Sequence, residues 1–185
     1  MFVKTIPQRE RELIGLNNKK TQIVLGIDPG TALCGYGIIC QQSGGFEALA
    51  YGSIETTKDL AMPKRLETIF LGLSELVNTY NPGILSIERL FFNQNVTTAI
   101  SVGQARGVCL LVAAMHDLEV YEYTPGEIKL SLTGHGKAPK HQVGYMVKTL
   151  LNLEKIPTPD DTADALAIAL CYFFRCRNYY DALRG

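Results

Sequence analysis

Residues 22–31 read Gln-Ile-Val-Leu-Gly-Ile-Asp-Pro-Gly-Thr. The β-branched apolar run Gln22–Ile27 has the pattern of a strand, and Asp28-Pro29-Gly30 ends it with a turn. An aspartate therefore stands at the tip of a strand apolar enough to be buried. Further along, Gly35–Cys40 is a second apolar run and Phe46–Ile54 a third, separated by the turn signal Ser43-Gly44-Gly45. Three strands joined by short turns predict an antiparallel start. Leu66, Ile69, Phe70, Leu73, Val77 and Tyr80 then recur at helical spacing until Asn81-Pro82-Gly83 stops the helix. Ile84–Glu88 is a short strand of buried type, Thr97–Met115 is helical in pattern, and Val120–Tyr123 is a fifth strand. Pro125–Leu132, Lys140–Leu151 and Pro159–Phe174 are helix candidates. This order predicts an α/β domain, a five-stranded mixed sheet flanked by helices.

A chain of 185 residues suits one domain with one core. At that size burial suffices for folding without metal or disulfide staples. Lys plus Arg and Asp plus Glu number 18 each, which excludes a uniformly basic coat but leaves room for a local basic patch. No run of 18 apolar residues occurs, so no transmembrane helix is expected. The N-terminus lacks the apolar segment of a signal peptide. Cys34, Cys40, Cys109, Cys171 and Cys176 form no CxxC pair, which argues against a disulfide framework or a zinc site and for a reducing cytoplasm. Residues 1–20 are polar and mixed in charge and read as an extension or frayed leader. Residues 21–177 then form the folded domain and residues 178–185 a tail.

Three places hold carboxylates worth weighing. Asp28 and Glu88 each end a buried-type strand, where a carboxylate is costly unless it is paired or bound to metal. For either alone, a strand-end acid that simply reaches water is the competing reading. The third place is Pro159-Asp160-Asp161-Thr162-Ala163-Asp164-Ala165-Leu166-Ala167. Thr158 is a candidate cap with Pro159 in the first turn, and acids there also suit the helix dipole. Asp164 lies about one turn beyond Asp161 amid alanines, as expected of a helix pressed against a sheet with its carboxylate aimed into a site. Acids without Cys or His at ligand spacing match hard, oxygen-ligand chemistry, hence Mg²⁺ or Mn²⁺ before zinc. Two such ions roughly 3.5–4 Å apart activate a water and stabilise the leaving oxygen in phosphodiester hydrolysis.

Leu25–Thr31, Gly35-Tyr36-Gly37, Ile87-Glu88, Gly103-Gln104-Ala105-Arg106-Gly107 and Asp161–Ala167, in this order and spacing, resemble the RuvC family of bacterial Holliday-junction resolvases. The resemblance runs from about Ile23 to Cys171. It implies a ribonuclease-H-like fold and a homodimer. It also implies Mg²⁺-dependent nicking of two opposed strands of a four-way DNA junction during recombination and repair, leaving 5′-phosphate and 3′-hydroxyl ends. By position, the catalytic and metal-binding acids fall on Asp28, Glu88, Asp161 and Asp164, with two Mg²⁺ per site and Mn²⁺ able to substitute. The junction-stacking aromatic falls on Phe91 and the DNA-binding lysines on Lys129 and Lys140, while Asp160 stays outside the pattern as a capping or surface acid. The RuvA–RuvB branch-migration complex is the implied partner. The first 20 residues have no family counterpart.

Residues around these blocks carry their own readings. No acid occurs between Lys129 and Lys148, so His135, Lys137, Lys140 and His141 form a local basic excess, either a solvated face or a phosphate-contacting wall with salt-sensitive binding. Phe91 sits in a polar loop suited to stacking on a base, whereas Phe92 reads as core. Ala99, Gly103 and Gly107 recur every four residues, which allows close helix approach in the core, the default reading, or across a dimer interface. Arg106 reads as a structural pairing residue and the aromatics from Tyr172 onward as part of a helix packed on the core. Three other functions compete: a sugar-kinase-like or actin-like nucleotide site, which needs two such domains; a non-catalytic junction-binding module; and another nuclease of the same fold.

Overall fold

The computed structural model describes residues 22–90 and 96–182, with side chains at all of these except 96–98 and 177–182. The expected strands form one sheet: β1 (Ile23–Asp28), β2 (Leu33–Gln42), β3 (Gly45–Glu55), β4 (Ile84–Glu88) and β5 (Glu119–Tyr123), in the order β3-β2-β1-β4-β5. Short turns make β1, β2 and β3 antiparallel neighbours. Parallel pairing of β1 with β4 and of β4 with β5 needs long crossovers. The helices α1 (Met62–Tyr80) and α2 (Val96–Met115) supply them. Asn81 closes α1 in the left-handed conformation, its N–H donating to the Val77 carbonyl at 2.8 Å. The helices α3 (Pro125–Thr133), α4 (Lys140–Leu150) and α5 (Asp160–Ala182) follow β5.

Side chains of a strand alternate between its two faces. Leu25, Ile27, Leu85 and Ile87 point to the α1–α2 side, where Ile69, Leu73, Ala105, Cys109 and Val112 cover them. Val24 and Ile84 point to the opposite side, into a core with Ile128 of α3, Val143 and Val147 of α4, and Leu166 and Ile168 of α5. Ser86, two residues after Ile84, donates its hydroxyl to the Ile168 carbonyl at 2.7 Å. By the same parity Asp28 and Glu88 belong to the α5 side.

How closely α5 lies on the sheet is set by glycines. A Cβ on Gly26 would stand 2.2 Å from the Ala165 carbonyl oxygen, one on Gly35 would stand 2.1 Å from that of Asp161, and one on Gly37 would meet Leu166 at 2.7 Å. Real Cβ atoms essentially never come within 3.0 Å of such atoms. These three glycines on β1 and β2 thus make a bare strip on which the helix backbone rests. Ala165, Leu166, Ile168, Ala169 and Leu170 are buried there, the larger ones contributing about 1.5–3 kcal/mol each.

Several expectations change. The helix opens at Asp160, so Pro159 precedes its first turn instead of standing in it, and the helix continues past Phe174 to Ala182, through part of the expected tail. Gly103 and Gly107 have open space where a side chain would go, so the α2 small-residue stripe does not serve the core. That role falls to Ala105, Cys109, Val112 and Ala113. Arg106 does pair structurally, with Glu122 of β5. Tyr172 and Phe173 are buried core residues, in edge contact with each other. All five cysteines are free. Residues 1–20 lie outside the described residues.

Candidate active site

At the carboxyl ends of β1 and β4, the register that pairs Ile27 with Ile87 sets Asp28 and Glu88 at the ends of adjacent parallel strands. The helix brings the other two acids. Gly35 is the β2 partner of Asp28, and it is also where the Asp161 backbone touches the sheet. One strand position therefore ties two acids far apart in sequence to the same spot.

The charges feel one another. Burial raises the Asp28 carboxyl to about 7, helped by the charges of Asp164, Glu88 and Asp161 and opposed by Lys140. Burial and the Asp164 charge also raise Glu88, against the pull of Lys129 and Lys140. Asp164 is raised as well, chiefly by burial, although Lys140 pulls it down. Partly buried acids that destabilise one another form a site short of positive charge.

Lys140 supplies part of that charge. Its ammonium lies 2.9 Å from Asp164 Oδ2 and 3.2 Å from Asp160 Oδ2. The hydrogen bond to Asp164 is the chief reason its own pKa is raised. Lys129 has no ion-pair partner among the described residues and stands half-buried near Glu88. A cleft of about 200 Å³ joins these groups, with Glu88, Asp164, Lys129 and Lys140 on its walls and Ile128 and Val143 beside them. One wall comes from α3, which Thr124 and Glu127 cap reciprocally: Glu127 N–H donates to Thr124 Oγ1 at 3.2 Å, and Thr124 N–H donates to Glu127 Oε2 at 2.9 Å.

The donor set fits a hard divalent cation, being all carboxylate, with Asp28, Glu88 and Asp164 each raised chiefly by burial. Among the described residues, however, no three such side chains already stand close enough to grip an ion.

The structure thus brings together six of the seven residues singled out by sequence, namely Asp28, Glu88, Asp161, Asp164, Lys129 and Lys140, while Phe91 lies outside the described residues. Sequence reading missed one support, Gly35, although its place in the Gly35-Tyr36-Gly37 block was a signal. Arg106 was read as a pairing residue but without its partners: its Nε donates to the Glu88 carbonyl at 3.4 Å while its guanidinium pairs with Glu122, which also meets Arg89 at 3.7 Å. Nothing in the sequence links those positions.

The family model described as Crossover junction endodeoxyribonuclease RuvC matches residues 24–172. A protein of that description from Alkaliphilus metalliredigens is 52% identical over 150 residues, covering 81% of this chain and 92% of the relative. One from Heliobacterium modesticaldum is 54% identical over 149 residues, with 80% and 92% covered. The solved structure of Thermus thermophilus RuvC in complex with Holliday junction substrate superposes with a TM-score of 0.80 at 33% identity, covering 84% of this chain and 95% of that one.

Proposed function

The chain belongs to the RuvC family of crossover junction endodeoxyribonucleases, and on that footing we propose that it resolves four-way DNA junctions through a Mg²⁺ centre held by Asp28, Glu88, Asp161 and Asp164. The observation that carries this reading is the meeting of two strand-end acids with two acids of α5 in one charge-deficient cluster. Two bound Mg²⁺ ions would activate a water and stabilise the leaving 3′-oxygen of an in-line phosphodiester cleavage. Asp28, Glu88 and Asp161 serve as ligands, and Asp164 completes the site and orients the attacking water. Lys129 faces the same cleft and neutralises a non-bridging phosphate oxygen of the cut strand. Lys140 has the same role once it leaves Asp164, and Phe91 stacks on an unpaired base.

The enzyme works as a homodimer in this reading, because two matched nicks in a two-fold junction suit two-fold protein symmetry. Supporting it, α2 exposes Ile100, Leu111 and Met115 on a surface where Gly103 and Gly107 leave open space. Residues 21–177 form the nuclease domain in this reading, with 1–20 an extension and α5 carrying on into the 178–185 tail as far as Ala182. The cytoplasm is the site of action and RuvA–RuvB the partner. Among the described residues no helix is long and apolar enough to cross a membrane.

The test compares a mobile four-way junction, a linear duplex and an RNA–DNA hybrid with Mg²⁺ on a denaturing gel. Paired nicks confined to the junction are expected. Equal cutting of the hybrid would move the protein to a general nuclease of the same fold.

A further inference from the structure

We propose that Asp160 is a positioning residue that acts through Lys140: the lysine ammonium takes the place of the metal on Asp164 in the metal-free enzyme, and Asp160 is the berth it retreats to when an ion binds. This rests on the reading of Asp164 as a metal ligand.

The geometry is that of a shared cation. Asp160 and Asp164 are one helical turn apart on α5, on the same side, where like charges repel. The Lys140 ammonium sits between them, at 3.2 Å and 2.9 Å. The two acids differ in depth. The Asp164 side chain is 29% exposed and lines the cleft, whereas that of Asp160 is 74% exposed and lies outside the cleft lining. Lys140 is the first residue of α4 and 57% exposed, so its four-carbon stem moves at little cost.

A divalent ion arriving at Asp164 repels the ammonium beside it. Lys140 need not then return to water, because its second partner is already within bonding distance. Released to Asp160 alone, it tightens that pair and stays at the mouth of the cleft, where a phosphate arrives. Asp160 in this way lowers the cost of exchanging an internal cation for a metal, without touching the metal. In its absence the lysine has Asp164 alone, and every ion that binds must break that pair outright. The cluster is thereby kept from standing empty of positive charge at any stage.

The test is a double-mutant cycle on Mn²⁺ binding to the full-length protein, measured calorimetrically without DNA, with circular dichroism confirming the fold of each variant. Lys140→Met removes the competing cation and should tighten Mn²⁺ binding roughly fivefold, the equivalent of one half-exposed ion pair. Asp160→Asn should weaken it roughly threefold with Lys140 present and leave it nearly unchanged in the Lys140→Met background. If Asp160→Asn weakens binding equally in both backgrounds, Asp160 acts only as a distant charge and the inference is overturned. Unchanged affinity in Lys140→Met overturns it too. Failure of the wild type to bind Mn²⁺ at all would remove the metal centre itself and this inference with it.

Discussion

Replacing Gly35 by alanine should separate the two halves of the site. The new Cβ would lie 2.1 Å from the Asp161 carbonyl oxygen and 2.6 Å from its carbonyl carbon, whereas ordinary contact begins at 3.4 Å. The deficit, 3.4 less 2.1, is about 1.3 Å of backbone, which unlike a side-chain tip cannot turn aside. The helix must lift or β2 must sink, and Asp28, paired with Gly35 in the sheet, stays behind. Overpacking of this kind costs roughly 1–3 kcal/mol, hence a fall in Tm on the order of 5 °C for a chain of this size. The larger effect is on chemistry, since a shift of about 1 Å in a positioned group can cost ~100-fold in rate. Single-turnover nicking of a mobile junction at saturating Mg²⁺ measures it, and junction affinity in EDTA serves as the check that DNA contacts survive. Gly44→Ala, with nothing within 4 Å, is the control and should behave as wild type. A Gly35→Ala enzyme within about threefold of the wild-type rate would show that helix placement on the glycine strip does not set the site.

Other perturbations separate the remaining roles. Asp28→Asn should abolish nicking while leaving junction binding in EDTA largely intact; substantial residual nicking at saturating Mg²⁺ sinks its assignment as a ligand. The Asp28 carboxyl is raised to about 7 from an ordinary 3.8, so between those values the native state holds a proton that the unfolded chain lacks. Metal-free stability should therefore be greater at the acid end of that window and fall as pH rises through 7. Melting curves in EDTA should show that fall flattened in Asp28→Asn, and identical profiles for the two proteins would refute the cause. Lys129→Ala should lower the slope of log K against log salt by about 1 in junction titrations. An unchanged slope makes this lysine part of a merely solvated face. Gly103→Leu has open space in the single chain, so it should leave the fold intact and split the dimer. Sedimentation reads the outcome, and a variant that stays dimeric refutes the α2 interface.

Much of this molecule is local and therefore legible in residue order. Alternation and turn chemistry place β1, β2 and β3, and helical spacing places α1, because those signals lie within a few residues of the structure they make. Asp28 and Glu88 can be picked out in the same way, as acids ending apolar strands. Element ends are less local: α5 runs on to Ala182, beyond the end that its residue pattern predicts. Pairing across the fold is beyond residue order. That Gly35 faces Asp161, that Arg106 reaches the Glu88 carbonyl, and that Gly103 and Gly107 open outward all depend on which faces meet when the sheet and helices pack. The same holds for Lys140. Its sequence neighbourhood marks it as a basic residue for phosphate, and Asp160, outside the matching pattern, reads as a capping or surface acid. Only the packing of α4 against α5 sets that ammonium between Asp160 and Asp164, because a charge takes the partner that the folded chain puts within reach.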